Sequence, residues 1–455
     1  MVDFVILLIL YLVVGTGIVI IVHRAKQSQE DYFVGGRKIG GAISALTYAA
    51  TTYSAFMMVG LVGLAFKTGV GALIFELCYL VSTVLLLSIY GRKIWEKGRA
   101  QGLVSPMELF SERFGPTTRL IGTLVAIIAL IPYSATQMIG LALIFQNYGG
   151  FSFAMGASFA AVIVAVWAIL GGLRGVAITD AIQGVFMLAV ALVGVIWIGN
   201  RFRGFELSTF PNVFWTPTLF INLTLPWIFF ALTNPQVVQR LFIPRDRRAF
   251  KRMIVYFSIF GLVYTLIVSL VGFSARFGME RGMFPDVADR DKVILQIFSQ
   301  MARWLSLPLA LSIIFAAVST ANSIVLTLSS MVLRDVFRQK AKIWLGRGMI
   351  ILLTGLIFLF SLSRPNYIVE LAVSSSSILL CFLPLFFGIF HWKHGGHLTG
   401  IITITGGAAA AIVLGVMRVP LSSVYTLVIS FALFFLGGLF EKQTKTAQSN
   451  GKLLG

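Results

Sequence analysis

Two sets of oxygen-bearing side chains lie inside stretches that are otherwise apolar. Asp180 is a lone carboxylate in the run Val176 to Asn200. A charge at the middle of a membrane helix costs roughly 2.5–3.5 kcal/mol on insertion scales, so it faces a protein partner, an ion or water rather than lipid. Further along, Ala316, Ser319, Thr320 and Ser323 fall at i, i+3, i+4 and i+7, one face of a helix, and present three hydroxyls there. Such hydroxyls often bond back to their own helix. Set beside the carbonyls of an unwound segment, they become neutral oxygens able to replace an ion's water. Other constellations are weaker. His391, His394 and His397 recur at three-residue spacing in a short loop where interfacial histidines are ordinary. Gly35-Gly36-Arg37 lacks the Lys-Ser/Thr pair of a phosphate loop. No Ser/His/Asp or Cys/His set is recognisable, which makes an enzyme the least expected class.

The elements that must position these residues are membrane helices. The chain has 455 residues, of which 58% are hydrophobic and only 12% charged, and its mean hydropathy is +0.92; about one quarter charged is usual in soluble proteins. The composition predicts an all-α polytopic membrane protein. Apolar stretches of spanning length, about 17–25 residues, number thirteen: 2–22, 39–66, 70–90, 117–146, 153–170, 176–199, 218–242, 252–275, 303–333, 343–362, 367–390, 398–417 and 422–440. The first lacks a basic leader region and a small-residue cleavage site, so it is expected to be a retained helix. Most of the 36 Lys and Arg fall in loops on one side of such an arrangement, which predicts an external N-terminus and a cytoplasmic C-terminus in the cell membrane. The net charge of +19 then belongs to short loops that meet anionic lipid, and nucleic acid is not an expected partner. Cys78 and Cys381 fall inside predicted helices, as small buried hydrophobes do.

No linker or low-complexity block divides the chain, so a single membrane domain is expected over 1–455. Two of the stretches look discontinuous. Segment 218–242 holds Pro226 and Asn234-Pro235, and each proline removes a backbone donor and disturbs its predecessor. Segment 39–66 has a small, hydroxylated middle from Tyr48 to Ala55. They begin two blocks of five stretches, 39–199 and 218–390, that must enter the membrane in opposite senses, as in inverted-repeat transporters with midplane sites. The helix 2–22 precedes them and 398–440 follows. Within the 276–301 loop, Val293 to Phe298 is expected as a short surface helix or lid.

Four segments, in order, resemble the sodium/solute symporter family. Ser28-Gln29-Glu30-Asp31-Tyr32-Phe33-Val34-Gly35-Gly36-Arg37 resembles its first inner-loop motif. Gly171-Gly172-Leu173-Arg174-Gly175-Val176, running into Thr179-Asp180 and Gln183-Gly184, resembles a second. Asn234-Pro235-Gln236 with Gln239-Arg240 resembles a third, and Ala316 to Ser323 through Arg334-Asp335 a fourth. The resemblance implies a leucine-transporter-like core of five plus five inverted helices, one helix before it and two after. It implies a principal Na+ site from the carbonyls of Ala50, Tyr53 and Ala316 and the hydroxyls of Ser319 and Thr320. A second Na+ site of some members would use Asp180 with Ser319, Asn322 and Ser323; here Asn322 departs from serine. Asp180 is otherwise a gate or protonation site, or pairs structurally with Arg174 or another cytoplasmic base. The solute is expected beside the broken helices, touching Thr51, Thr52, Ser54, Gln137 and Trp227. Thr52 stands where proline-type members carry Asp, and Glu76 is expected as a structural polar contact or part of an outer vestibule.

The expected function is therefore Na+-coupled symport of a small organic solute into the cell by alternating access. The pantothenate, proline and monocarboxylate branches are favoured by the compactness of the chain, and a carboxylate-bearing solute is expected because half-helix ends can hold it. A proton-coupled carrier using Asp180 and a solute-sensing membrane protein are the rival classes. Na+, the solute and membrane lipid are the expected partners, with no obligate protein partner.

Overall fold

In lipid an unpaired backbone N–H or C=O has no water to turn to, so an apolar chain is restricted to helices or a closed barrel. The computed structural model is helical. It describes residues 2–22, 28–337, 342–363 and 367–451, with side chains as far as Glu441. Among the described residues the only β-type pairing is an isolated bridge between Ile39 and Pro244. The expected basic segments 23–27 and 338–341, and the side chains of the basic tail, fall outside that description.

In chain order the helices are α1 (Val2–Val22), α2 (Gly41–Thr52), α3 (Phe56–Thr68), α4 (Gly71–Ala100), α5 (Glu108–Gly149), α6 (Phe153–Phe202), α7 (Pro217–Ile228), α8 (Phe230–Thr233), α9 (Pro235–Arg240), α10 (Arg247–Glu280), α11 (Val293–Ser299), α12 (Arg303–Val336), α13 (Ile343–Ser363), α14 (Ile368–His391), α15 (His397–Val416) and α16 (Ser422–Glu441). A short helix, Gln29–Val34, precedes α2. Among the described residues ten helices are long and apolar enough to cross a membrane, or up to eleven if α2 and α3 count as one bent span. The difference from thirteen apolar stretches has two local origins. Stretches 153–170 and 176–199 lie together in α6, whose 50 residues would run about 75 Å if straight, more than twice a bilayer core of roughly 30 Å. It is not straight, because Gly172 leaves the helical region at φ 50° and ψ −165°. Stretch 218–242 is divided into α7, α8 and α9, none of spanning length.

Each interruption has a compensation. At Gly172 the carbonyls of Ala168 and Ile169 accept from the Tyr32 hydroxyl at 2.9 and 3.0 Å, so the short helix before α2 seals the bend in α6. Between α2 and α3 the axis turns by 51°, with Tyr53 outside helical geometry at φ −87° and ψ 84°. The unwound segment expected over 48–55 is thus confined to its last residues, and α2 stays helical through Thr52. Pro226 stays inside α7, and the breaks fall at Phe229 and Asn234. Beyond α9 the chain returns to the foot of α2: Ile39 N donates to Ile243 O at 3.2 Å and Arg245 N donates to Ile39 O at 2.9 Å.

Around these broken helices the bundle is layered by polarity. The apolar window of α12 is wholly buried, and its hydroxyl face meets α2, α5 and α6. By contrast α1 turns Ile6, Ile9, Leu10, Val13 and Val14 outward, the apolar surface that lipid requires. The loop helix α11 is packed down rather than raised, with Val293, Ile294, Ile297 and Phe298 buried.

Gly172 generates a prediction. A Cβ there would lie 2.8 Å from both the Tyr32 ring and its backbone oxygen, at a φ that L side chains rarely adopt. Strain of that kind costs about 1–3 kcal/mol. Gly172→Ala should lower the thermal midpoint and the monodisperse yield in detergent. At Gly175, where an added Cβ meets only Val19 methyls at 4.0 Å, the same substitution should leave both near wild type. Equal behaviour of the two variants would contradict the role assigned to the bend.

Candidate ion and solute site

Ending α2 at Thr52 leaves its last carbonyls short of intrahelical donors. One of them, Ala50 O, is met from α12: Ser319 Oγ donates to it at 3.0 Å and Thr320 Oγ1 at 2.8 Å. Ser319 Oγ also donates to Ala316 O at 3.0 Å. Ala50, Ala316, Ser319 and Thr320 are all fully buried. Four of the five residues expected at the principal ion site are therefore linked through hydrogen bonds, Ser319 and Thr320 to Ala50 and Ser319 to Ala316. Tyr53, the fifth, is the break residue itself; its N–H donates to Ala49 O at 2.6 Å, and its ring packs against Phe257, Phe260, Tyr264 and Tyr79. The donor set fits Na+, since two hydroxyls that turn their hydrogens away, with nearby carbonyls, give neutral oxygens in a dry setting.

Asp180 lies in a second, separate group. Thr47 Oγ1 donates to its Oδ2 at 2.6 Å, while Oδ1 has no hydrogen-bond partner among the described residues. Thr51 Oγ1 donates to Thr47 O at 2.7 Å and shares a hydrogen bond with Ser323 Oγ at 2.9 Å. Ser323 Oγ also accepts from Arg240 Nη2 at 2.5 Å. Arg240 is fully buried, its Nε and Nη1 have no hydrogen-bond partner among the described residues, and it makes no direct ion pair with Asp180 among them. Asn322 is buried, with no hydrogen-bond partner for its Oδ1 among the described residues. Sequence reasoning passed over Arg240 because it ends an apolar run and counts there as a loop base. Its place two turns beyond a helix-breaking Asn-Pro was the available signal.

The five residues expected to touch solute divide between two places. Gln137 Oε1 accepts from Ala55 N at 3.1 Å, and its Nε2 donates to Ser54 Oγ at 3.2 Å and Thr136 Oγ1 at 2.8 Å. Gln137 thus satisfies a freed N–H at the start of α3. Trp227 stands near the end of α7 among Phe56 (ring centroids 5.3 Å), Phe75 (5.9 Å) and Phe230 (5.3 Å). Thr52 Oγ1 bonds back to Tyr48 O and Ala49 O at 3.1 and 3.0 Å and neighbours Tyr79, whose ring lies 6.3 Å from that of Trp227. Thr51 is not with them; it belongs to the Asp180 and Arg240 group. Glu76 is fully buried beside Trp227, with no hydrogen-bond partner for Oε2 among the described residues, which sets it against the residues expected to touch solute rather than in an outer vestibule.

Ion pairs link different helices at both ends of the bundle. At the end carrying most basic residues, Arg119 pairs with Asp335 at 3.4 Å and Arg334 with Glu108 at 2.8 Å. Asp335 Oδ2 also accepts from Ser105 and Thr123 at 2.6 and 2.7 Å. Gln239 Nε2 donates to Val104 O and Ser330 Oγ at 2.9 and 2.7 Å. At the other end Arg290 pairs with Glu370 and lies over the Tyr367 ring at 4.4 Å.

With this geometry in hand, known proteins give it a context. The family model of sodium:solute symporters matches residues 32–394. The sodium/pantothenate symporter of Escherichia coli is 23% identical over 481 positions, covering 98% of each chain. The osmoregulated proline transporter OpuE of Bacillus subtilis is 24% identical over 94% of this chain and 92% of its own. Among solved structures, a substrate-bound, outward-open Na+-coupled sialic acid symporter superposes with a TM-score of 0.81 at 17% identity over 96% of each chain. The nucleobase-cation-symport-1 family transporter MHP1, in a closed conformation with bromovinylhydantoin bound, gives 0.62 at 12% identity over 91% of this chain and 95% of its own. The two structures establish a shared fold, and the match of the family model over most of the length establishes kinship: the chain belongs to the sodium:solute symporter family, whose class of activity is Na+-coupled solute uptake.

Proposed function

We propose that this protein carries a small organic solute bearing a carboxylate into the cell together with Na+, by alternating access of one midplane site. The observation that carries the reading is the convergence of the Ser319 and Thr320 hydroxyls on the Ala50 carbonyl, next to the break in α2. Na+ binds there, with the Ala316 carbonyl and, by kinship, that of Tyr53. Solute binds on the other side of the break, against Ser54, Gln137, Thr52 and Trp227. The positive end of α3 at the break favours an anionic group. The partnerless oxygen of Glu76 favours a solute that also carries a hydrogen-bond donor. Proline and pantothenate, the solutes of the relatives named above, have both features.

The blocks 39–199 and 218–390 form the inverted core in this reading, and the chain lies in the cell membrane with its N-terminus outside and its C-terminus in the cytoplasm, as the Lys and Arg distribution favours. Coupling to one ion is energetically sufficient. Inward movement of one Na+ yields about 2.3 kcal/mol per 100 mV and about 1.4 kcal/mol for a tenfold gradient. Together they allow roughly 500-fold accumulation of a neutral solute.

Proteoliposomes holding the full chain, offered labelled proline, pantothenate or a monocarboxylate, test the reading. An imposed Na+ gradient at clamped pH should drive accumulation of at least one of them. Uptake that follows a proton gradient and ignores Na+ would transfer the coupling to Asp180 and overturn the proposal. Solute binding without net uptake or counterflow would make the protein a sensor.

Residue assignments give two further expectations. Ser319→Ala and Thr320→Ala each remove one ion ligand and should raise the Na+ concentration for half-maximal uptake about tenfold or more, a loss of roughly 1.4 kcal/mol, at unchanged expression. Unaltered Na+ dependence in both would refute the site. Gln137→Ala and Trp227→Ala should raise the half-saturating solute concentration while leaving that for Na+ within about twofold; the reverse pattern would move the solute elsewhere.

A further inference from the structure

A cavity of about 280 Å³ lies between α1, α6 and α12. Leu10, Val14 and Ile182 form its mouth and are more than half exposed, so it opens sideways onto the apolar surface that faces lipid. Its deep wall is aromatic, with the Phe315 ring centroid 4.6 Å from that of Tyr11 and 4.9 Å from that of Phe186. No charged side chain lines it.

One polar group in that wall is unsatisfied. Gln183 lines the cavity and is only 4% exposed; its Nε2 donates to the Tyr11 hydroxyl at 3.0 Å, whereas its Oε1 has no hydrogen-bond partner among the described residues. Thr179, one turn earlier on the same face of α6, donates back to Val176 O at 2.9 Å and has no hydrogen left to offer. An amide oxygen left unpaired in an apolar setting is costly, and the acyl chains outside the mouth carry no donor. The occupant that fits is uncharged and apolar, with a single O–H to give. At about 30 Å³ per heavy-atom group, a water's share of its liquid, the space holds roughly ten such groups.

We propose that this cavity is a lateral binding site for a membrane-dissolved alcohol or phenol, whose hydroxyl donates to Gln183 Oε1 while its apolar body lies among Tyr11, Phe186, Leu311 and Phe315. The molecule enters from the lipid between α1 and α6 rather than along the solute path. Thr179 and Phe315, both in the wall, are the chain neighbours of Asp180 and Ala316, so the occupant touches residues one position from each of the two polar groups described above. The cavity shares no residue with those groups, and its occupancy is measured independently of the Na+-coupled reading.

Thymol, a phenol of the right size, and p-cymene, the same skeleton without its hydroxyl, are suitable probes. Binding of each labelled compound to the full chain in lipid nanodiscs is measured against empty nanodiscs and compared at equal mole fraction in the lipid. Wild type should bind thymol saturably, one per chain, and p-cymene about fivefold more weakly, the worth of one hydrogen bond. Gln183→Leu keeps the wall apolar and should bind the two compounds within about twofold of each other. Val14→Trp sets an indole at the lipid-facing mouth and should abolish saturable binding of both, whereas Val428→Trp, at an exposed position of α16, should behave as wild type. No saturable binding, or an equal loss in the two Trp variants, overturns the site. Equal affinities in wild type would assign the cavity to acyl tails, and a preference for thymol that survives Gln183→Leu would place the hydroxyl elsewhere; either result overturns the proposed chemistry. Should Gln183→Leu not yield monodisperse protein, the wild-type preference and the pair of Trp variants decide.

Discussion

Every polar group of the backbone must find a partner inside the bundle, because lipid offers none, and the functional centre of this protein is what that constraint leaves at two deliberate breaks. A continuous helix would spend the Ala50 carbonyl and the Ala55 N–H on its own ladder. Interrupting it at Tyr53 releases both, and each is met by a side chain from another helix: hydroxyls of α12 on one side, the Gln137 amide of α5 on the other. The groups proposed for the ion and for the solute thus lie on opposite sides of one short unwound segment, a few residues apart in sequence, and a ligand bound at either would alter the company kept by the same stretch of backbone.

Buried charge is managed by the same accounting. Arg119, Asp335, Arg334 and Glu108 form a neutral quartet in which each charge meets an opposite one and the carboxylates accept further hydrogen bonds from Ser105, Thr123 and backbone amides. Removing one member would strand the others, which makes the quartet a fastening that can only be undone as a unit. The Arg290 and Glu370 pair with Tyr367 is a smaller fastening at the opposite end. A carrier needs such closures to be complete when made and separable when not, and ion pairs between different helices meet that description better than interdigitated apolar packing does.

Much of this was legible in the residues. Pro226 and Asn234-Pro235 marked a broken helix, the small hydroxylated run before Ala55 marked another, and the spacing of Ala316, Ser319 and Thr320 placed oxygens on one face. What was not legible depended on rotation or on long-range partners. Thr51 and Thr52 are adjacent and were assigned together, but α2 remains helical through them, so about 100° of rotation sends one to Ser323 and the other toward Tyr79. The bend at Gly172 was hidden because a glycine in an apolar run has several meanings, and Tyr32, which seals it, lies 140 positions earlier. Arg240 looked like a loop cation because nothing local shows that α2 and α12 pack against its helix.

The small parallel bridge at Ile39 joins the foot of α2 to the segment that follows α9, through Ile243 and Arg245. Those are the ends of the two broken helices at the basic end of the bundle. With their feet clasped, neither can swing there without carrying the other, so the two discontinuities share a single pivot. The limb that carries the Ala50 carbonyl and the limb that carries Arg240 are then geared at this end rather than independent, joined through two backbone hydrogen bonds.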